Sequence, residues 1–269
     1  MSGATRLDAI LADVRRRAAA RLGRRSLADL LAEARPDPAR RQRFVRALRG
    51  GELAFIAECK RRSPAAGLLA PAGDLEPRAR AYARGGAAAI SVLTEQDHFH
   101  GAPEDLARAR AAGLPLLRKD FLLDCKMVAE SAALGADAVL LLAAAVPDPL
   151  LGEMRALAAE LGLAVLLEVH GPAELRRALD AAPDCVGVNA RDLASFAVDP
   201  GVFARLLPEI PPAYVRVAES GLRTPADARA ARASGADAVL VGEALMRAAD
   251  PAADLCAWRA ACREVAPRG

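Results

Sequence analysis

Gly135-Ala-Asp-Ala-Val-Leu-Leu-Leu142 and Gly235-Ala-Asp-Ala-Val-Leu-Val241 are near copies of each other. Gly86-Ala-Ala-Ala-Ile90 and Ala182-Pro-Asp-Cys-Val186 share the pattern more loosely. Each pairs a residue that stops a helix with a short apolar run of strand length. The four segments recur at roughly fifty-residue intervals, the length of two strand–helix units, so they mark every second strand of a repeating fold. Between them lie further apolar runs of the same kind. The full series is Ala54–Ala57, Ala89–Val92, Leu116–Leu117, Ala138–Leu142, Ala164–Leu167, Val186–Val188, Val215–Ala218 and Ala238–Val241. Ala/Arg/Leu-rich helical stretches separate these eight runs. Continuous apolar strands alternating with helices predict a parallel sheet covered by helices. Eight regular units predict an α/β fold of the closed (β/α)8 type, a TIM barrel, over a doubly wound open sheet.

Outward from this frame, residues 1–50 read as extra helices packed on the barrel. Leu7, Ile10, Leu11 and Val14 share one helical face, Ser26 is a cap, and Phe44, Val45 and Leu48 stripe a third helix. The 269 residues fit one such domain, spanning 1–269, although that length also suits two small domains. Hydrophobic residues make up 53% but aromatics only 3%, so the core is built from Ala, Leu and Val.

The net charge of +3 comes from acids and bases mixed along the chain, which argues against a nucleic-acid partner. The densest basic run, Arg15-Arg16-Arg17 with Arg21, Arg24 and Arg25, is interrupted by Asp8 and Asp13 and reads as a solvated helix face. Cys59, Cys125, Cys185, Cys256 and Cys262 are odd in number and form no CxxC pair; a reducing cytoplasm is expected, without disulfides or zinc. The apolar run Val139–Val146 is too short to cross a bilayer, and the N-terminus has no apolar core of a signal peptide. His98, His100 and His170 lack metal-ligand spacing.

In a barrel of this type the chemistry lies at the C-terminal ends of the strands. The residues there are Glu58 and Lys60, Thr94, Lys119, Glu168, Asn189, Glu219 with Ser220, and Gly242 with Glu243. Of 37 basic residues only Lys60, Lys119 and Lys126 are lysines, and two of the three fall at strand ends. Arginine stays protonated under nearly all conditions, whereas a buried lysine can exchange a proton. Lys60 and Lys119 are therefore candidate catalytic groups, and Lys126 is expected on the next helix. Glu219-Ser220-Gly221, ahead of a Thr224-Pro225 helix start, and Val241-Gly242-Glu243 form a candidate phosphate cradle. Glu243 is expected to face the ligand with its backbone N–H.

At these strand ends the chain resembles the indole-3-glycerol-phosphate synthase family. The matching segments are Ala57-Glu-Cys-Lys-Arg-Arg-Ser-Pro64, Ser91-Val-Leu-Thr-Glu95 leading to Phe99-His-Gly101, and Leu117-Arg-Lys-Asp-Phe121. They continue with Leu167-Glu-Val-His170, Gly187-Val-Asn-Ala-Arg-Asp-Leu193, Ala218-Glu-Ser-Gly221 and Val241-Gly-Glu-Ala-Leu-Met246. The resemblance runs from about residue 5 through the whole chain. Ala65 and Ala102 depart from it where the family commonly carries serines.

The resemblance implies a phosphorylated substrate, 1-(2-carboxyphenylamino)-1-deoxyribulose 5-phosphate, and ring closure with loss of carbon dioxide and water. It needs no cofactor, because rearomatisation drives decarboxylation. It implies Lys119 as the acid on the carbonyl oxygen. Lys60 would hold the substrate carboxylate and supply a second acid, with Glu58 and Glu168 as base, orienting anion or iminium stabiliser. Asn189 and Ser220 would position sugar hydroxyls, Arg191 would pair with Glu58, and Ser63 and Gly221 would contact substrate. Pro64, Phe99, Phe121, Leu140 and Leu193 would form an apolar slot for the aromatic ring. A monomer or weak homodimer is expected. The alternatives are a phosphoribosylanthranilate isomerase, for which Cys59 would be a candidate, and a non-catalytic barrel that binds a phosphorylated ligand.

Overall fold

The computed structural model describes residues 5–64, 67–69, 75–193 and 195–263. Ala65, one of the two departures from the family pattern, lies outside them. Eight parallel strands close into a barrel, each paired with its sequence neighbours and the last with the first. They are β1 (Ala54–Cys59), β2 (Ala89–Leu93), β3 (Leu116–Lys119), β4 (Ala138–Leu142), β5 (Ala164–Val169), β6 (Cys185–Asn189), β7 (Val215–Glu219) and β8 (Ala238–Val241). Ala54 meets Ala238 at the closing seam, and Ile56 meets Ala89 on the other side of β1. The closed sheet rules out the open doubly wound alternative, and every predicted run lies within a strand.

The repeat has a physical cause. Gly86, Gly135 and Gly235 take left-handed backbone angles (φ 83°, 81° and 104°), which end one helix and turn the chain into the next strand. Ala182 adopts the same conformation at φ 49° despite its β-carbon. The aspartates of the repeat act alike. Asp137 accepts the backbone N–H of Leu116, Asp184 that of Val165 and Asp237 that of Arg216, so each ties the start of one strand to its neighbour.

Three helices precede the barrel: α1 (Arg6–Leu22), α2 (Leu27–Ala34) and α3 (Pro38–Leu48). Thr5 and Ser26 open the first two with reciprocal capping boxes to Asp8 and Asp29. α3 lies under the N-terminal end of the barrel, where Arg41 pairs with Asp184 at 2.6 Å and Arg43 with Asp137. Ile10, Leu11, Val14, Phe44 and Leu48 are buried in the same hydrophobic cluster as the strands. Among the described residues the later helices are α4 (Leu75–Arg84), α5 (Asp105–Ala109), α6 (Cys125–Ala133), α7 (Asp148–Glu160), α8 (Pro172–Ala181), α9 (Gly201–Leu206), α10 (Pro225–Ala233), α11 (Glu243–Arg247) and α12 (Pro251–Arg263). Among the described residues no helix is long and apolar enough to cross a membrane.

The arginine run on α1 is exposed as expected, but it is not merely solvated. Arg17 pairs with Asp97 in the loop after β2, and the half-buried Arg21 grips Glu130 of α6 with two hydrogen bonds of 2.7 and 2.9 Å. Lys126 lies on α6 and reaches the carbonyl of Leu22 at 3.5 Å.

Candidate active site

A cleft of about 1120 Å³, counting the space open to solvent, occupies the C-terminal mouth of the barrel. Its floor comes from strand ends. Glu58, Lys119, Glu168, Asn189 and Glu219 are the inward residues of β1, β3, β5, β6 and β7, and Lys60 follows β1. Lys60 Nζ lies 2.6 Å from Glu58 Oε1, the pairing that two-residue spacing on one strand face allows. A β-carbon at Gly242, just past β8, would collide with that Glu58 oxygen, so the glycine leaves room for the pair. Arg191 does not pair with Glu58, contrary to the sequence expectation. Lys60 already occupies Glu58, and the Arg191 guanidinium turns back to the carbonyl of Phe196 at 3.3 Å.

Lys119 is held between two carboxylates, donating to Glu168 Oε2 at 2.8 Å and to Glu219 Oε2 at 2.9 Å. Burial disfavours the ammonium, but Glu168, Glu219 and Glu58 outweigh it and raise its pKa. The two carboxylates differ. Burial penalises Glu168 as an anion, yet Lys119 and His170 prevail and hold it well below the usual carboxylate range. Glu219 is pushed up to about 7 by burial, reinforced by Glu168 and Glu58 against the pull of Lys119. Its second oxygen is buried without a hydrogen-bond partner and lies over Gly187, where a β-carbon would strike it. Asn189 donates to Glu168 Oε1 at 2.8 Å and accepts the N–H of Arg191 at 2.9 Å, so its amide positions Glu168.

The wall above is apolar. Phe99 and Phe121 face each other with ring centroids 6.4 Å apart, and Pro64, Leu140 and Leu193 complete the predicted slot. The loop carrying Phe99 is shaped by Glu95, a buried carboxylate that accepts the N–H groups of Asp97, His98 and Phe99. Ile10 of α1 adds to the wall, so the N-terminal helices contribute to the cleft as well as to the core.

Ser220 and Gly221 take consecutive left-handed angles of 63° and 73°, a turn that is strained for a serine. With Gly242 and Glu243 they line the opposite rim, and Ser63 lines the side near β1. The Glu243 carboxylate is turned to Arg247 at 3.2 Å. Thr224 opens α10 with a capping box to Asp227.

Of the residues expected at the site, all but Thr94 thus meet in one cleft. Three groups were not anticipated in their places. Glu219 is expected at a strand end and in the phosphate turn without a role of its own, yet it touches Lys119. His170 lacks metal-ligand spacing in the sequence, yet it contacts Glu168. Arg223 lines the rim beside Ser220. In the other direction, Thr94 leaves the polar ring: it is buried outside the cleft lining, donating to Asp120 and accepting from Arg118. Cys59 likewise alternates away from the cleft, which removes the observation favouring an isomerase.

A family model described as indole-3-glycerol phosphate synthase matches residues 7–257. Curated relatives of that name include one from Mycolicibacterium vanbaalenii, 46% identical over 93% of this chain and 92% of the relative. Another, from Mycobacterium avium, is 46% identical over 94% and 93%. Among solved structures, 3-hexulose-6-phosphate synthase from Salmonella typhimurium superposes with a TM-score of 0.62 at 15% identity, covering 79% of this chain and 99% of that one. Orotidine 5'-phosphate decarboxylase from Pyrococcus horikoshii gives 0.59 at 16% identity, covering 78% and 100%. These two show the fold alone. The sequence matches show more: the chain belongs to the indole-3-glycerol phosphate synthase family, carboxy-lyases of tryptophan biosynthesis.

Proposed function

We propose that Lys119 is the ring-closing acid as this cleft converts 1-(2-carboxyphenylamino)-1-deoxyribulose 5-phosphate to indole-3-glycerol phosphate. The observation that carries this is the Lys119 ammonium, fixed by two carboxylates at the foot of an apolar slot. The aromatic ring lies in the slot of Phe99, Phe121, Pro64, Leu140 and Leu193. Its carboxylate faces Lys60, and the phosphate lies at the Ser220-Gly221 and Gly242-Glu243 rim near Arg223. Backbone N–H groups there and one guanidinium suit a dianion. Ser63 and Arg191 hold the approach to the slot, and Asn189 and Ser220 orient the sugar hydroxyls.

The ring carbon bearing the carboxylate attacks the ketone carbon. As that bond forms, negative charge grows on the ketone oxygen, and Lys119 donates a proton to it. The electron pair leaves the ring, so positive charge reaches the anilino nitrogen as an iminium, which the Glu168 anion stabilises. The bond to the carboxylate then breaks, its electrons restore the aromatic ring, and carbon dioxide departs. Last, the new hydroxyl leaves as water with a proton from Lys60, which Glu58 orients. The carbon beside nitrogen gives its proton to Glu219, whose pKa near neutrality suits a base that must also release the proton.

We also read the chain as one domain acting in the cytoplasm as a monomer or weak homodimer. Support comes from a hydrophobic cluster shared by extension and barrel, and from membership of a biosynthetic enzyme family. In addition, two α1 arginines are engaged within the chain. Sedimentation at several protein concentrations checks the oligomeric state. The enzymatic test mixes purified protein with the substrate and follows indole formation, with Lys119→Ala beside it. Turnover that falls roughly 10²–10⁴-fold in the variant fits the loss of a general acid. Equal turnover removes Lys119 from this role, and an inactive wild type overturns the reading.

A further inference from the structure

Behind the reacting groups lies a half-buried histidine that the mechanism above does not use. His170 follows β5, with its side chain 14% exposed. Its Nδ1 lies 3.0 Å from Glu174 Oε2 in the first turn of α8, and the same oxygen accepts the backbone N–H of His170 at 2.8 Å. Its Nε2 points into the protein, 3.3 Å from Glu168 Oε1, with no aligned hydrogen-bond acceptor. The contact to Glu168 is therefore one of charge. Ionised carboxylates only accept, and a neutral imidazole carries one proton for its two nitrogens. With a carboxylate facing each nitrogen, the doubly protonated ring sets positive charge against both anions.

We infer that His170 is a positioning residue which, as an imidazolium between Glu174 and Glu168, fixes Glu168 as the permanent anion and leaves the exchangeable proton to Glu219. This rests on the synthase reading proposed above. The groups around it support the asymmetry. Glu168 meets Lys119 from β3, the Asn189 amide from β6 and the imidazole, whereas Glu219 shares Lys119 and has one buried oxygen with no partner. Burial opposes charge on the imidazole, but Glu168 and Glu174 overcome it and raise its pKa to about 10. Two carboxylates competing for one lysine would otherwise be near equivalents. The histidine gives them separate tasks: a lasting counter-charge for the iminium and a base that can be discharged.

The test is a titration of the imidazole resonances by NMR, with His170→Gln assigning the signal among the three histidines. The His170 ring is expected to stay protonated beyond about pH 8, and titration near the ordinary value of about 6.5 overturns the inference. Glu174→Gln, outside the cleft lining, should bring the titration down towards neutrality; an unmoved midpoint also overturns it. His170→Gln should lower kcat with little change in KM, because the counter-charge to the iminium is needed in the transition state, and His170→Lys, which restores a cation, should recover part of that loss. A rise in KM alone, or no recovery in the lysine variant, is the signature of a merely structural role and contradicts the proposal. Should the wild type make no indole, the synthase reading fails, while the imidazole titration still decides the cation.

Discussion

Arg118 and Lys119 are neighbours on β3, and the alternation of a strand sends them to opposite faces. Arg118 points outward into the layer between barrel and helices and is fully buried. Its guanidinium donates to Asp120, Glu130, Ser131, Thr94 and the carbonyl of Met127. Lys119 points into the mouth, where two carboxylates share it and one of them keeps an unpartnered oxygen. The outer cluster is satisfied and extends through Glu130 to Arg21 on α1, tying the N-terminal helices to the strand that carries the acid. The inner cluster is left incomplete. A charged network closed on itself serves architecture, and one with an open valence at a cleft serves chemistry. The residue types agree: a five-donor fork outside, a single transferable proton inside.

The sharpest way to break the contrast is to empty the outer cluster. Arg118→Met leaves Asp120 and Glu130 buried without their shared cation, and unfolding in urea should show a loss of about 3–5 kcal/mol. A loss within experimental scatter would mean that the network is ornamental. Next comes crowding of the inner cluster. Gly187→Ala places a β-carbon on the free oxygen of Glu219 and must displace it. Misplacement of a reacting group by about 1 Å can cost on the order of 10²-fold, so kcat should fall by up to that much while stability stays near wild type. The smallest effect belongs to the rim of the outer cluster. Arg21→Met removes a partly exposed pair with Glu130 and should cost about 1 kcal/mol or less at neutral pH. Burial opposes the Glu130 anion, but Arg118 and Arg21 together lower its pKa. A depressed carboxyl contributes stability above its unfolded value and loses it as pH falls through the folded one. The gap between Arg21→Met and wild type should therefore close on acidification below pH 4.5, and melts across pH check it.

Much of this was legible along the chain. Eight apolar runs and a repeated Gly-Ala-Asp-Ala phrase suffice for a parallel barrel, because buried strands and left-handed helix stops are local matters. The Glu58–Lys60 pair was legible too, since two residues on one strand share a face. What escaped depends on closure. Glu219 meets Lys119 only because β3 and β7 face each other across the barrel. Its written signal was a carboxylate at the end of β7, on the same strand face as Val215 and Val217, together with a glycine at 187 that clears space for it. Thr94 was misplaced because the residue just past a strand can turn to either side. The Arg191–Glu58 pairing failed for a related reason, since a nearer lysine already satisfied the carboxylate. Arg118 also carries a sign in the sequence, since a charge inside a buried strand needs a buried partner.

The direct test of the central contrast is the single-turnover rate of indole formation by Lys119→Arg, with enzyme in excess over substrate. The variant keeps a cation between Glu168 and Glu219 but removes a proton that can be given up at neutral pH. The account predicts a folded protein whose rate falls roughly 10²-fold or more. A rate near wild type would show that charge alone suffices at this position, and that the proton for ring closure comes from elsewhere.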